Sequence, residues 1–232
     1  MIAEIKRVIP KLADQVGPDL REASLLASLY QEGGAAAISL VTEARHFGGN
    51  AAADLPAVLR AVPSPVLIKD FILDFAQVDY YAGLIKSAGV GGPGRVALLI
   101  ISHLAGLKTG SLIRYIYQRG MGVLLETRNI QDLDLLEPKD YPTMIGINHR
   151  LIDQLEMDDN TANLTPETVS QYRALVQDAL IISESAHGCP GDVRRSIGAG
   201  ADAVLVGTAF MRAECPRAAV KSFVNCLQVS PG

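Results

Sequence analysis

The strongest constraint on the fold is the alternation of short apolar runs with stretches of helical period along the whole chain. The runs, mostly Val, Ile, Leu and Ala, are residues 2–6, 35–40, 65–69, 96–101, 122–126, 144–148, 179–183 and 203–207. Helical period marks residues 22–32, 75–87, 111–118, 166–175, 192–199 and 216–227 between them. Alternating strands and helices form parallel βαβ units, whose strands are covered on both faces and therefore uniformly apolar. Eight such units in 232 residues predict one parallel (β/α)8 TIM barrel, a single domain over residues 1–232.

Composition and charge exclude several classes of protein. The net charge of -4, the absence of Trp and an aromatic content of 5% argue against a nucleic-acid partner. No apolar run is long enough to cross a membrane, and the first residues lack the layout of a signal peptide. Three cysteines without metal-ligand spacing are typical of free thiols in a reducing compartment, so we expect a cytoplasmic enzyme.

No cofactor or metal is expected from the sequence. The four histidines show no ligand spacing, and no nucleotide fingerprint follows a predicted strand. The glycine-rich segment Gly89–Gly94 precedes a predicted strand and contains Pro93, so we interpret it as a turn and not as a phosphate loop.

Charged residues end several of the predicted strands, where a barrel carries its function. Lys6, Lys69 and Glu126 end strands 1, 3 and 5, and a serine of strand 7 is expected to complete the same inward layer. Glu4 shares the face of Lys6, because side chains two residues apart in a strand point the same way. Buried charges are costly unless they are paired, so this cluster predicts a functional site.

These residue types suit acid–base chemistry at a carbonyl group. A lysine can protonate a developing alkoxide, and a glutamate can remove a proton in an elimination. A Schiff base on either lysine remains an alternative. The loops after strands 7 and 8 carry Ser185-Ala186-His187-Gly188 and Gly207-Thr208, which predicts a phosphate site, as barrels commonly hold phosphate there.

Several segments together resemble the indole-3-glycerol phosphate synthase family nearly end to end. They are IAEIKR (2–7), GAAAISLVTEARHFGGN (34–50), PVLIKDFILDFAQ (65–77), GMGVLLET (120–127), IGINHR (145–150), ISES (182–185) and GADAVLVGTAFMRA (200–213). The resemblance implies a carboxy-lyase of tryptophan biosynthesis. Its substrate would be 1-(2-carboxyphenylamino)-1-deoxyribulose 5-phosphate, which loses carbon dioxide and water as an indole ring closes.

The resemblance also implies roles for individual residues. Lys69 matches the general acid at the ketone, Glu126 the general base of the dehydration, and Lys6 a lysine that binds the substrate carboxylate or acts as a second acid. Implied substrate contacts are Glu4, Phe47, Phe71, Asn148, Arg150 and Ser185. Residues expected at the phosphate are Lys11, Ala186, His187, Gly207 and Thr208.

The chain departs from the family pattern at its phosphate loops and its front end. Ile9 stands where the family has a serine, and Ala186 stands where it has a glycine. The family also carries helices before strand 1, which here is the first element. Two alternatives therefore stay open: a paralogue running a related cyclisation or decarboxylation on another substrate, and a non-catalytic or partner-dependent barrel. In the last case, a partner chain or a second copy would cover the open mouth.

Overall fold

A closed barrel of eight parallel strands forms the centre of the protein, as the sequence predicts. The computed structural model describes residues 1–90, 92–150, 152–155 and 161–227. The strands pair in chain order, and β8 pairs with β1. They are β1 (Ile2–Ile5), β2 (Ala37–Val41), β3 (Val66–Lys69), β4 (Val96–Ile101), β5 (Gly122–Thr127), β6 (Met144–Asn148), β7 (Leu180–Glu184) and β8 (Ala203–Val206).

Helices connect most of the strands and surround the barrel. They are α1 (Ala23–Glu32), α2 (Ala51–Ala61), α3 (Phe75–Ala88), α4 (Ser102–Ala105), α5 (Thr109–Gln118), α6 (Pro166–Leu175), α7 (Pro190–Gly198), α8 (Thr208–Met211) and α9 (Pro216–Asn225). Between β5 and β6 the chain forms 3-10 turns at Ile130–Leu135 and Pro138–Asp140. Within the described part of the chain, no helix is long and apolar enough to span a membrane.

Local sequence sets where the helices begin and end. Asp74 and Gln77 form a capping box at the start of α3, so the first orphan N–H groups of that helix have acceptors. Gly89 ends the same helix at a φ of 69°, in the left-handed region that glycine adopts without strain. A 3-10 turn, Pro93–Arg95, then leads into β4. For the described residues, this confirms Gly89–Gly94 as a turn; Gly91 lies outside them.

The strands are apolar on both faces because the barrel has two cores. The larger core lies between strands and helices, with fully buried side chains such as Tyr30, Leu55 and Ile68. The smaller core consists of Leu67, Leu99, Ile101, Leu124, Ile182 and Leu205. These residues alternate with members of the larger core along their strands, so they fill the barrel interior. Fully burying one such side chain contributes about 1.5–3 kcal/mol.

The next inward positions form a charged layer above this interior core. Lys69 follows Leu67 by two residues, Glu126 follows Leu124, and Glu184 follows Ile182. Because strand side chains alternate between faces, all three point into the barrel at its C-terminal mouth. The fold thus collects acidic and basic side chains from strands that are distant in sequence.

Candidate active site

The ammonium group of Lys69 lies at the centre of the charged layer. Its Nζ is 3.1 Å from Oε2 of Glu184, 3.6 Å from Oε2 of Glu4 and 3.7 Å from Oε2 of Glu126. The Lys69 side chain is 11% exposed, while the three carboxylates are exposed by 3% or less. The acidic neighbours favour the charged form of the Lys69 ammonium group, and the side chain is still partly exposed at the mouth of the barrel.

Lys6 forms a second pair on the same layer. Its Nζ lies 3.1 Å from Oε1 of Glu4 and 5.2 Å from the centre of the Phe47 ring. Glu4 therefore bridges the two lysines, with one oxygen near each ammonium group. The sequence-based expectation that Glu4 and Lys6 share one face of β1 agrees with this geometry.

Asn148 orients Glu126 from the neighbouring strand. Its Nδ2 donates to Oε1 of Glu126 at 2.9 Å, which leaves Oε2 on the side of Lys69. The Oδ1 of Asn148 accepts from the backbone N–H of Arg150 at 2.9 Å. One amide thus fixes both the carboxylate and the start of the loop after β6.

Glu184 completes the layer, and the sequence analysis did not single it out. The serine expected there, Ser183, instead faces α7, where its Oγ donates to Oγ of Ser196. The expectation of a strand-7 serine in the layer is wrong for Ser183, since the inward residues of β7 are Ile182 and Glu184. Ser185 follows the strand and lines the mouth.

Two glycines make room for the buried carboxylates. A Cβ on Gly146 would overlap Oε1 of Glu184, and a Cβ on Gly207 would overlap Oε1 of Glu4. Glycine is therefore required at both positions for close approach, although neither has a positive φ. For Gly207 this is a packing role in addition to its expected place near a phosphate.

Burial controls the protonation of this layer. It raises the pKa of Glu184 from the ordinary value of 4.5 to about 7, against the opposing effect of Lys69. Repulsion from Glu126 and Glu4 acts in the same direction as burial. Three carboxyl groups face two ammonium groups here, and a proton held by Glu184 balances the charge.

An apolar cavity adjoins Lys69 on one side of the layer. Phe47, Phe71, Leu99, Ile101 and Ile152 line it together with Lys69, Glu126, Glu4 and Lys6. The rings of Phe47 and Phe71 lie 6.5 Å apart between centroids, at a tilt of 57°. These walls suit a planar aromatic group held beside the acid–base residues.

A cationic cavity of about 310 Å³ adjoins Lys6 on the other side. Besides Glu4, Lys6 and Ile9, its walls are Lys11, Arg150, Ser185, Ala186, His187, Gly188, Gly207, Thr208 and Arg212, with four apolar neighbours. Every residue expected at the phosphate thus lines one cavity. Arg212, which the sequence analysis did not select, adds an exposed guanidinium there.

The loop after β7 enters this cavity in an unusual backbone conformation. Ser185 and Ala186 have φ angles of 66° and 60°, which cost non-glycine residues free energy. The side chain of His187 is buried, and its Nε2 lies 2.9 Å from Oγ of Ser196. Burial lowers the pKa of His187 to about 4. The imidazole is therefore neutral near pH 7 and brings no charge to an anion.

Comparisons of sequence place the chain among relatives of one kind. The family profile described as indole-3-glycerol phosphate synthase matches residues 1–223. An indole-3-glycerol phosphate synthase of Methanopyrus kandleri is 38% identical over 97% of this chain and 82% of its own length. One of Pyrococcus furiosus is 34% identical, over 97% of this chain and 91% of its own.

Comparisons of structure support the fold alone. Orotidine 5'-phosphate decarboxylase from Pyrococcus horikoshii superposes with a TM-score of 0.66 at 12% identity, covering 99% of this chain and 100% of its own. A 3-hexulose-6-phosphate synthase superposes with a TM-score of 0.67 at 14% identity, covering 97% and 98%. With the profile match over nearly the whole chain, the sequence relatives decide the family: the chain belongs to the indole-3-glycerol phosphate synthases, carboxy-lyases of tryptophan biosynthesis.

Proposed function

We propose that this site closes the indole ring of 1-(2-carboxyphenylamino)-1-deoxyribulose 5-phosphate, releasing carbon dioxide and water to leave indole-3-glycerol phosphate. The observation that carries the proposal is the position of Lys69 among Glu4, Glu126 and Glu184. Lys69 lines the apolar cavity, which shares Glu4 and Lys6 with the cationic cavity. The substrate has an aromatic ring at one end, a phosphate at the other and a ketone between them, which matches an apolar cavity that adjoins a cationic one.

The two cavities account for binding. The anthranilate ring packs against Phe47 and Phe71 in the apolar cavity, and its carboxylate pairs with Lys6. The phosphate lies in the cationic cavity near Lys11, Arg150 and Arg212, where guanidinium groups bind phosphate oxygens in a bidentate manner. Glu4 and Lys6 line both cavities, so they lie beside the middle of the substrate.

Lys69 acts in the ring-closing step. The ring carbon that bears the carboxylate attacks the ketone carbon, and the carbonyl oxygen takes a proton from the Lys69 ammonium. Loss of carbon dioxide then restores the aromatic ring, since the electron pair of the broken bond returns to it. The nearby carboxylates keep Lys69 protonated for this role.

Glu126 acts in the dehydration. The new hydroxyl group leaves as water with a proton from a lysine, and Glu126 removes the proton that allows the double bond to form. Asn148 holds Oε1 of Glu126, so that Oε2 faces the reacting atoms. Glu184, with a pKa raised to about 7 by burial, exchanges protons with Lys69 between steps.

Ile9 and Ala186 favour one other candidate, a related reaction on a different arylamino substrate. Both residues line the cationic cavity with apolar side chains. Comparing turnover of the phosphorylated substrate with turnover of its dephosphorylated form tests this. The proposal predicts a loss of kcat/KM of roughly a thousandfold without the phosphate. Equal turnover of the two forms would favour the other substrate class.

We also propose that the enzyme works in the cytoplasm and that a partner chain or second copy covers the barrel mouth. Three free cysteines support the first point. Exposed apolar side chains in the segments that follow β3 and β4 support the second, namely Leu73, Leu104 of α4 and Leu107. Cell fractionation tests the location, and light scattering with and without substrate tests for self-association.

A further inference from the structure

A buried chain of hydrogen bonds lies behind the two loops that form the cationic cavity. Nε2 of His149 is 2.9 Å from Oγ of Ser183. Ser183 donates to Oγ of Ser196 at 3.1 Å, and Nε2 of His187 lies 2.9 Å from Oγ of Ser196 and 3.2 Å from Oγ of Ser183. The four groups come from the loop after β6, from β7, from α7 and from the loop after β7.

The direction of the bond between the two serines determines which group donates each of the other hydrogen bonds in this chain. Because Ser183 uses its hydrogen toward Ser196, it accepts from His149. Ser196 in turn uses its hydrogen toward His187, whose Nε2 then carries no proton. With this direction Nε2 of His187 accepts, and a proton on that atom would leave the hydrogen of Ser196 without an acceptor in the chain.

Each histidine sits beside residues of the site. His149 lies between Asn148, which holds Glu126, and Arg150, which lines the cationic cavity. His187 directly follows Ser185 and Ala186, whose positive φ angles are strained for these residues. Such strain persists only where the surroundings hold the backbone in place, and the buried His187 side chain anchors the end of this turn.

We propose that His149 and His187 are positioning residues, which act through Ser183 and Ser196 to hold the loops after β6 and β7 in the arrangement that binds the anionic end of the substrate. The identity of the substrate rests on the proposed function, whereas the role of the two loops in binding an anion does not. His187 is thereby assigned to the support of the cavity and not to a direct charge contact with phosphate.

Neutral imidazoles follow from the surroundings of the chain. Burial lowers the pKa of both histidines, and each would repel the other if charged, with ring centroids 6.3 Å apart. Of the charged groups around them, Asp192 favours the protonated form of His187 and Arg195 opposes it. Arg128 and Arg150 line a groove with His149, and a hydrogen bond with Asn163 favours the protonated form of His149 less than burial opposes it. Acid should therefore reverse hydrogen bonds in the chain and loosen both loops.

The test compares variants that break this chain of hydrogen bonds, a variant that preserves it and a control variant outside it. The double variant Ser183→Ala/Ser196→Ala breaks it on β7 and α7, away from the cavity, because both serines contact His187. His187→Leu breaks it at the loop. His187→Gln keeps a group that accepts from Ser196 without titrating. Ser28→Ala is the matched control, since Ser28 is a helix serine on α1 with its own hydrogen bond to Ser24 O. Readouts are KM and kcat for the proposed substrate and the Kd of inorganic sulfate between pH 3.5 and 8, a range that includes the pKa of His187.

Ser183→Ala/Ser196→Ala and His187→Leu should raise KM and the sulfate Kd about tenfold while kcat changes less than about twofold, with His187→Gln near wild type. The sulfate Kd of the wild type should rise as the pH falls toward about 4, and that of His187→Gln should rise less. Unchanged KM and sulfate Kd in the folded double serine variant would overturn the inference, as would a loss in kcat alone. If the wild type binds sulfate in this way but does not turn over the substrate, the proposed function fails and the positioning role stands.

Discussion

Gly146 lies directly beside the carboxylate of Glu184, in a space that leaves no room for a Cβ. The two residues come from neighbouring strands, β6 and β7, and both face the barrel interior. Glycine at this position thus sets the distance between Glu184 and Lys69, on which the proton transfers of the site depend.

Gly146→Ala should therefore lower kcat roughly a hundredfold, because it pushes Glu184 away from Lys69 by an ångström or so. Gly122→Ala is the matched control, since a Cβ on that barrel glycine would meet its nearest neighbour, Cβ of Ala97, at an ordinary 3.4 Å. Steady-state kinetics and thermal unfolding of both variants check this. Near wild-type kcat in Gly146→Ala would show that the position of Glu184 does not matter.

The raised pKa of Glu184 predicts how stability depends on pH. The folded protein keeps a proton on Glu184 up to about pH 7, whereas the unfolded chain loses it near the ordinary value of 4.5. The folded state binds more protons between these values, so this group contributes stability that is lost as pH rises through that range, of the order of 3 kcal/mol.

His187 acts in the opposite direction over nearly the same range. Its pKa falls from 6.5 to about 4 on folding, so the unfolded chain binds more protons and stability rises with pH between these values. The lowered pKa of His149 adds to this rise. Relative to the wild type, Glu184→Gln should gain more stability as pH rises from 4.5 to 6.5, and His187→Gln should gain less. Urea unfolding at several pH values checks both slopes; identical slopes in all three proteins would contradict the assignment.

Arg212 should contribute to binding of the anionic end of the substrate. Arg212→Met should raise KM about tenfold with little change in kcat, and the effect should shrink at high salt. Arg217→Met is the matched control, because Arg217 is an exposed arginine that pairs with Glu32 on the outside of the barrel. Equal effects of the two substitutions would argue against a specific role for Arg212.

The sequence predicted the barrel and most of the charged layer for a simple physical reason. Strands buried on both faces are uniformly apolar, so each strand stands out, and a charged residue at its end is conspicuous. For the same reason, the sequence does not indicate that Glu184 faces the barrel interior. In a run such as Leu180–Ile182 no polar alternation indicates which residues face inward, so the sequence-based expectation placed a serine of strand 7 in the layer.

Other features of the site depend on tertiary contacts that no local pattern encodes. The chain through His149, Ser183, Ser196 and His187 joins residues whose side chains carry no ligand spacing. The need for glycine at position 146 appears only once the neighbouring carboxylate is in place. Sequence reasoning therefore located the reacting groups better than the residues that position them.

The structure also changes one expectation about stability. From its place at a strand end, Lys69 is expected to be removable at little cost. Its ammonium instead offsets three buried carboxylates, and removing one partner of a buried ion cluster destabilises a protein. Lys69→Met should therefore lower the melting temperature at pH 8 more than at pH 5, where protonation of Glu184 reduces the repulsion. A pH-independent loss would contradict this account.

Turnover by the Lys69 variant tests the central claim most directly. Purified wild-type protein and Lys69→Met are each given 1-(2-carboxyphenylamino)-1-deoxyribulose 5-phosphate, and indole fluorescence is followed at a pH where both are folded. The account predicts rapid formation of indole-3-glycerol phosphate by the wild type and a loss of kcat of at least about a thousandfold in the variant. Turnover within about tenfold of wild type by folded Lys69→Met would show that Lys69 is not the acid of the ring-closing step.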